Sequence, residues 1–183
     1  FVELVLRNRA HLPLDSTLSR LVNLSNDWRH RSRRNTRSGS RRNIGAHYTS
    51  EENILKLIQP LFLDALWEEF NRVKSNKNKL FEFHKKLRTL TFFDPACGCG
   101  NFLVITYREL RKLELEVLLE LHGQQHEMSL DDVTRLSKVN VDQFYGIEIE
   151  EFPARIAEVA LWLTDHQANV ALSEAFGQFY QRL

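Results

Sequence analysis

Thr91-Phe92-Phe93-Asp94-Pro95-Ala96-Cys97-Gly98-Cys99-Gly100-Asn101-Phe102-Leu103 runs from three β-favouring residues into an acid, a proline and a Gly-x-Gly turn, and a helical pattern opens at Asn101. Strand, glycine turn and helix in this order predict an α/β fold with a pocket for a nucleotide-like ligand. Residues without Cβ let backbone amides approach such a ligand closely and permit the sharp reversal.

Charge narrows the ligand. The Gly-Lys-Ser/Thr ending of a phosphate-binding loop is absent, since Asn101 follows Gly100, and Leu103 stands where the dinucleotide fingerprint has its third glycine. Asp94 instead places a carboxylate at the strand end. A carboxylate there repels phosphates and suits a cationic ligand. S-adenosylmethionine, with a sulfonium, an ammonium and no phosphate, fits.

The Asp94–Phe102 stretch resembles the cofactor-binding motif of amino-type DNA methyltransferases, in particular adenine-N6 enzymes with an Asp-Pro-x-x-Gly-x-Gly-x-Phe pattern. Gly45-Ala46-His47-Tyr48-Thr49-Ser50 and Tyr145-Gly146-Ile147-Glu148-Ile149-Glu150 resemble two further motifs of that family, in the family's order. Together they are most similar to the MmeI-like type II restriction-modification family. The three motifs and their connections cover roughly Arg42 to Tyr180. The resemblance implies a Rossmann-like methyltransferase fold, of which this chain would supply a helix-rich part with few parallel strands. It also implies S-adenosylmethionine as cofactor and double-stranded DNA as partner. The cofactor-binding residues it implies are Tyr48, Thr49, Asp94, Pro95, Ala96, Gly98, Gly100, Asn101, Phe102, Glu148 and Ile149.

With 183 residues, 43% of them apolar, the chain suffices for one domain or a large part of one. No run approaches the ~18 apolar residues of a membrane span and no signal-peptide pattern opens it, so a soluble, cytoplasmic protein is expected. Two cysteines one residue apart cannot supply a four-ligand zinc site, and they read as small residues in a tight turn. A start at Phe1 rather than Met suggests a piece of a longer protein.

The net charge of +1 hides an asymmetry. Arg29, Arg31, Arg33, Arg34, Arg37, Arg41 and Arg42 fall in fourteen residues without an acid, leaving 18 basic against 24 acidic residues elsewhere. The run is too polar to fold alone. It reads either as an arm on nucleic-acid phosphates or as a solvated tether. The family has a more ordinary mixed segment there. The expected division is an upstream helical segment with an arginine-rich linker over 1–44 and an incomplete methyltransferase domain over 45–183.

Phe1–Leu6 is compatible with strand or helix, and Leu14, Leu18, Leu21 and Val22 suggest a helix over 12–24. Thr49-x-x-Glu52 reads as a capping box opening an amphipathic helix with Ile54, Leu55, Ile58, Leu61, Phe62, Ala65 and Leu66 on one face, kinked or split at Pro60. By the resemblance, Thr49 would both cap this helix and donate to the cofactor carboxylate. Lys74–Arg88 reads as a polar loop and short helix. Leu103, Tyr107, Leu110, Leu113, Val117 and Leu121 predict a helix of about five turns. His122 and His126, four apart, read as exposed helix-end residues rather than metal ligands. A second short helix is expected to open at Ser129.

Gln143–Ile149 is the next strand. An acid ending it can accept hydrogen bonds from both ribose hydroxyls of a nucleoside. The resemblance gives that role to Glu148 and lays Ile149 on the adenine, although strand alternation puts Glu148 and Glu150 on one side and Glu151 also competes. The 48 residues from Gly100 to Glu148 exceed the ~20 of the simple dinucleotide unit. Pro153 suits the first turn of a helix whose inward face carries Ile156, Ala160 and Leu163, with Ala157 and Leu161 alongside; Trp162 reads as core or as an interdomain contact, and Leu172–Leu183 as a final helix. The Asn/Asp-Pro-Pro-Tyr/Phe segment with which the family holds the flipped adenine is absent, the prolines being Pro13, Pro60, Pro95 and Pro153. No catalytic residue is therefore assigned, and the chain alone is expected to transfer no methyl group. The alternatives are a methyltransferase acting on RNA or protein, and an inactive nucleic-acid-binding remnant.

Overall fold

A computed structural model describes the backbone of residues 2–5 and, with side chains, residues 49–123 and 136–176. The arginine run, the 12–24 helix, Tyr48, His126, the helix at Ser129 and residues 177–183 lie outside the described residues. The strands are β1 (Val2–Val5), β2 (Phe92–Asp94) and β3 (Phe144–Glu148). The helices are α1 (Glu51–Ile58), α2 (Asp64–Val73), α3 (Lys77–Thr89), α4 (Asn101–His122) and α5 (Glu151–Ala175), with a π-helical turn at Gln59–Leu63. The architecture is a helix-rich α/β one around a small sheet of order β1-β3-β2.

In this sheet β2 runs parallel to β3, pairing Phe92 with Phe144 and Asp94 with Gly146. β1 joins the other edge antiparallel, Val2 opposite Glu148 and Val5 opposite Tyr145, so Val2–Val5 is strand, not helix. Parallel neighbours bring Asp94 and Glu148 out at the same end of the sheet. Phe92 stacks on Phe144 at 5.0 Å between ring centroids, and Tyr107 of α4 meets Phe144 edge-on at 5.1 Å, which seats α4 on the strand pair.

Helix α4 buries the predicted stripe Leu103, Tyr107, Leu110, Leu113 and Val117, and at 22 residues exceeds the predicted five turns. Pro60 does split its helix. The π-turn around it inserts an extra residue per turn, so burial passes from Ile54 and Ile58 to Leu63, Leu66 and Phe70. Leu61 and Ala65, predicted inward, are therefore exposed. The capping box at Thr49 is not formed: Ser50 is the N-cap, with no side-chain bond to the helix. Lys74–Arg88 holds a longer helix than predicted, capped by Asn76 Oδ1 accepting from Lys79 N and burying Leu80, Phe83, His84 and Leu87.

Helix α5 turns inward with Ala154, Ala157, Leu161 and Thr164, not with Ile156 and Leu163. Trp162 is half exposed, and Phe152, Ile156, Val159 and Leu163 form an outward row. Leu172 continues the same helix up to Ala175.

Two polar clusters tie the layers together. Arg111 of α4 donates to Val139 O and to Asn169 Oδ1 of α5 and faces Asp165, which accepts from Tyr107 at 2.5 Å. Gln143, entering β3, donates through Nε2 to Leu87 O and Leu90 O at the end of α3, while its Oε1 accepts from Asn140 N.

Candidate functional site

The chain leaves β2 at Asp94, whose Oδ1 accepts from Ala96 N at 3.0 Å and so starts the turn with the acid's own side chain. Cys97 N then donates to Ile147 O of β3 at 3.0 Å, and Gly100 N to Cys97 O at 2.7 Å. Gly98 and Gly100 have φ of 55° and 82°, left-handed values that other residues adopt at a cost, and Gly100 is the N-cap of α4. The predicted order of strand, glycine turn and helix is thus realised, with the turn fastened to β3 through Cys97.

Glu148 closes the opposite side. Its Oε1 accepts from the amides of Ile149 and Glu150 at 2.6 and 2.9 Å, which holds the carboxylate in place at the start of α5. Its Oε2 faces the turn, 4.0 Å from where a Cβ on Gly98 would stand. The strand ends at Glu148, so alternation does not extend to Glu150. That residue is the exposed N-cap of α5, and Glu151 lies beyond it, 3.8 Å from Arg155.

The field in this corner is negative. The Cys97 thiol is pushed up to about 12 by burial first and then by the carboxylates of Asp94 and Glu148. Both acids therefore lie close enough to act on the same buried atom. No basic residue lies between Thr91 and Leu103. A cation is favoured here and a phosphate disfavoured.

The remaining predicted residues fall into two groups. Pro95 and Ala96 are exposed on the turn, Asn101 is half-buried where α4 begins, and Ile149 is 56% exposed beside Glu148. Phe102 turns away into a cluster with Ile54, Ile58 and Ile105, where α1 docks on the first turns of α4. Arg108 of α4 also holds Glu51 at 2.5 Å, its hydrogen bond and charge lowering the pKa of that carboxyl. Thr49, half-buried, lies two residues before Glu51.

Two contributors carried no signal as functional residues in the sequence. A Cβ on Gly146 would meet Cys97 Sγ at 2.7 Å, so the glycine of β3 is what lets the turn lie flat on the strand. Ala157 packs against Gly100 from α5. Gly146 stands inside a quoted motif and its spacing could have been noticed, whereas Ala157 is one alanine among several on an apolar helix.

The chain is 67% identical to a solved structure, that of the type IIL restriction-modification enzyme MmeI in complex with DNA, with a TM-score of 0.70 over 81% of this chain. It is 43% identical over 133 residues, 73% of its length, to DNA methyltransferase A of Bacillus subtilis strain 168. It spans 20% of the former chain and 15% of the latter. The model of the family described as MmeI, DNA-methyltransferase domain, matches residues 70–183, a span that holds β2, the glycine turn, β3 and Glu148, and the chain belongs to this family.

Proposed function

We propose that this chain forms the S-adenosylmethionine-binding part of a restriction-modification DNA methyltransferase that methylates adenine at N6 in double-stranded DNA. The observation that carries the reading is the placement of Asp94 and Glu148 at the ends of adjacent parallel strands, with the glycine turn between them. Two carboxylates flanking a turn whose own sequence holds no basic residue suit a sulfonium and ammonium ligand. The free Oε2 of Glu148 suits ribose hydroxyls, Ile149 offers an exposed apolar wall for adenine, and the Gly98–Asn101 backbone can approach closely. Tyr48 and Thr49 are assigned to the methionine end on the resemblance alone. The bound cofactor would supply the methyl group.

Membership of the MmeI methyltransferase family supports DNA as the substrate, and the solved relative is a complex with DNA. Adenine N6 rests on the Asp-Pro-x-x-Gly-x-Gly-x-Phe pattern. The incomplete Rossmann-like domain over 45–183, which Val2–Val5 joins by pairing with β3, a helical segment and arginine-rich linker in the rest of 1–44, and a cytoplasmic location belong to the same reading. No helix among the described residues is long and apolar enough to cross a membrane.

The test is to incubate the gene-encoded protein that carries this chain with methyl-labelled S-adenosylmethionine and mixed-sequence DNA, then digest to nucleosides. Label is expected in N6-methyladenine. Label confined to cytosine, RNA or protein would overturn the assignment. The 183-residue chain alone, lacking the Pro-Pro segment that holds the base, is expected to leave DNA unlabelled.

A further inference from the structure

The two glycines of the turn face different neighbours. A Cβ on Gly98 would stand 4.0 Å from Glu148 Oε2, whereas one on Gly100 would meet Ala157 Cβ at 2.7 Å and Ala157 Cα at 3.1 Å. The three atoms nearest that second position all belong to Ala157. The turn is therefore a thin partition with α5 behind Gly100 and the Glu148 carboxylate across from Gly98.

Backbone hydrogen bonds also support it: Cys97 N to Ile147 O, Gly100 N to Cys97 O, and Val104 N to Gly100 O at 2.8 Å. They fix the direction in which the turn leaves β2 and enters α4. None of them bears on α5. Against α5 the turn comes closest at Gly100, where the neighbouring atoms are those of Ala157, a fully buried residue.

We propose that Ala157 is a positioning residue for the cofactor: its small side chain leaves the glycine turn room to stand back where its hydrogen bonds hold it, and so keeps open the gap between the turn and Glu148. The proposal rests on the reading of this corner as the S-adenosylmethionine site. A larger side chain at 157 would press on Gly100, since Ala157 Cβ and Cα are the atoms nearest that glycine's side-chain position and valine on a helix holds one rotamer. The turn would then advance into the space that the ligand needs. A glycine at 157 would leave the turn where its hydrogen bonds hold it.

The test compares Ala157→Val with Ala154→Val in the gene-encoded protein. Ala154 is equally buried, one turn earlier on the same helix, in the same apolar cluster. Both variants are expected to lower the melting temperature. Only Ala157→Val is expected to raise the calorimetric Kd for S-adenosylmethionine, by about ten-fold or more, with the Kd for DNA unchanged. Ala157→Ser, which adds one atom, should give a smaller rise of roughly three-fold and serves if the valine variant does not fold. Ala157→Gly should keep the wild-type cofactor Kd despite lower stability. An unchanged Kd in Ala157→Val, or equal rises in both valine variants, would overturn the proposal while leaving the cofactor site intact. Absence of S-adenosylmethionine binding in the wild-type protein would instead overturn the site itself.

Discussion

His84 Nε2 on α3 lies 2.9 Å from Glu114 Oε1 on α4, and both side chains are almost wholly removed from water. Glu114 also accepts from Val139 N at 2.9 Å, from Lys138 N and from Ser137 Oγ, with Arg111 Nε at 3.5 Å. Burial opposes the charge, yet His84, Arg111 and the two amides outweigh it and hold the carboxyl below its ordinary 4.5. The carboxylate is thus an acceptor, so His84 Nε2 carries the proton. This cluster anchors the segment that leads into β3.

Glu114→Gln should therefore cost about 3–5 kcal/mol, the scale for breaking a buried charged cluster, measured by urea unfolding at pH 7. Because the folded-state value is depressed, the stabilisation is complete above about pH 4.5 and disappears as pH falls through the folded value. The difference between wild type and Glu114→Gln should shrink accordingly as the pH is lowered below 4.5. A difference that stays constant over that range would show that the charge contributes nothing.

For the cofactor, Glu148→Ala is expected to weaken S-adenosylmethionine binding by about 1.5–3 kcal/mol, roughly ten- to a hundred-fold or slightly more. Glu150→Ala, at an exposed helix cap, should bind nearly as the wild type does. Titration calorimetry on both variants separates them, and the reverse order would move the ribose contact to Glu150.

Gly146→Ala is expected to destabilise the protein by about 1–3 kcal/mol through overpacking against Cys97. Cys97→Ala removes the sulfur 2.7 Å away but leaves Cys97 Cβ at 3.0 Å and Leu103 Cδ1 at 3.1 Å. The double variant should recover part of the loss, about 1 kcal/mol of coupling in a thermodynamic cycle. Strict additivity of the two substitutions would mean that strand and turn do not bear on each other there.

Replacing Arg33, Arg34, Arg41 and Arg42 by alanine tests the basic run. If it touches DNA phosphates, binding should weaken irrespective of sequence, and each lost contact should reduce the log–log salt slope by about 0.9. Equal slopes would leave the run as a tether.

The turn, both parallel strands and the α4 stripe were legible because each is fixed by neighbours close in sequence. What escaped depended on distant partners or on phase. On α1 and α2 the predicted face held at Ile54, Ile58 and Leu66 but failed at Leu61 and Ala65, since the π-turn shifts the inward face between them. On α5 apolar residues occur on all sides, so period alone could not choose Ala157 and Leu161 over Ile156 and Leu163. Helix α3 was read too short because charged residues surround its four buried ones. Strand β1 exists through pairing with residues 140 or more positions away.

The amide of Gln143 has a bearing on a carboxylate five residues downstream. β2 and β3 share only three residue pairs, too few to forbid a slip by themselves. Gln143 Nε2, bound to Leu87 O and Leu90 O, ties the entrance of β3 to the chain just ahead of β2, and works as a length gauge for the strand. A two-residue slip would keep every side chain on its face yet carry Glu148 some 6–7 Å along the strand, out of reach of Gly98. The position of Glu148 relative to the glycine turn is thus calibrated from the opposite end of the sheet, by a side chain bonded to the end of α3.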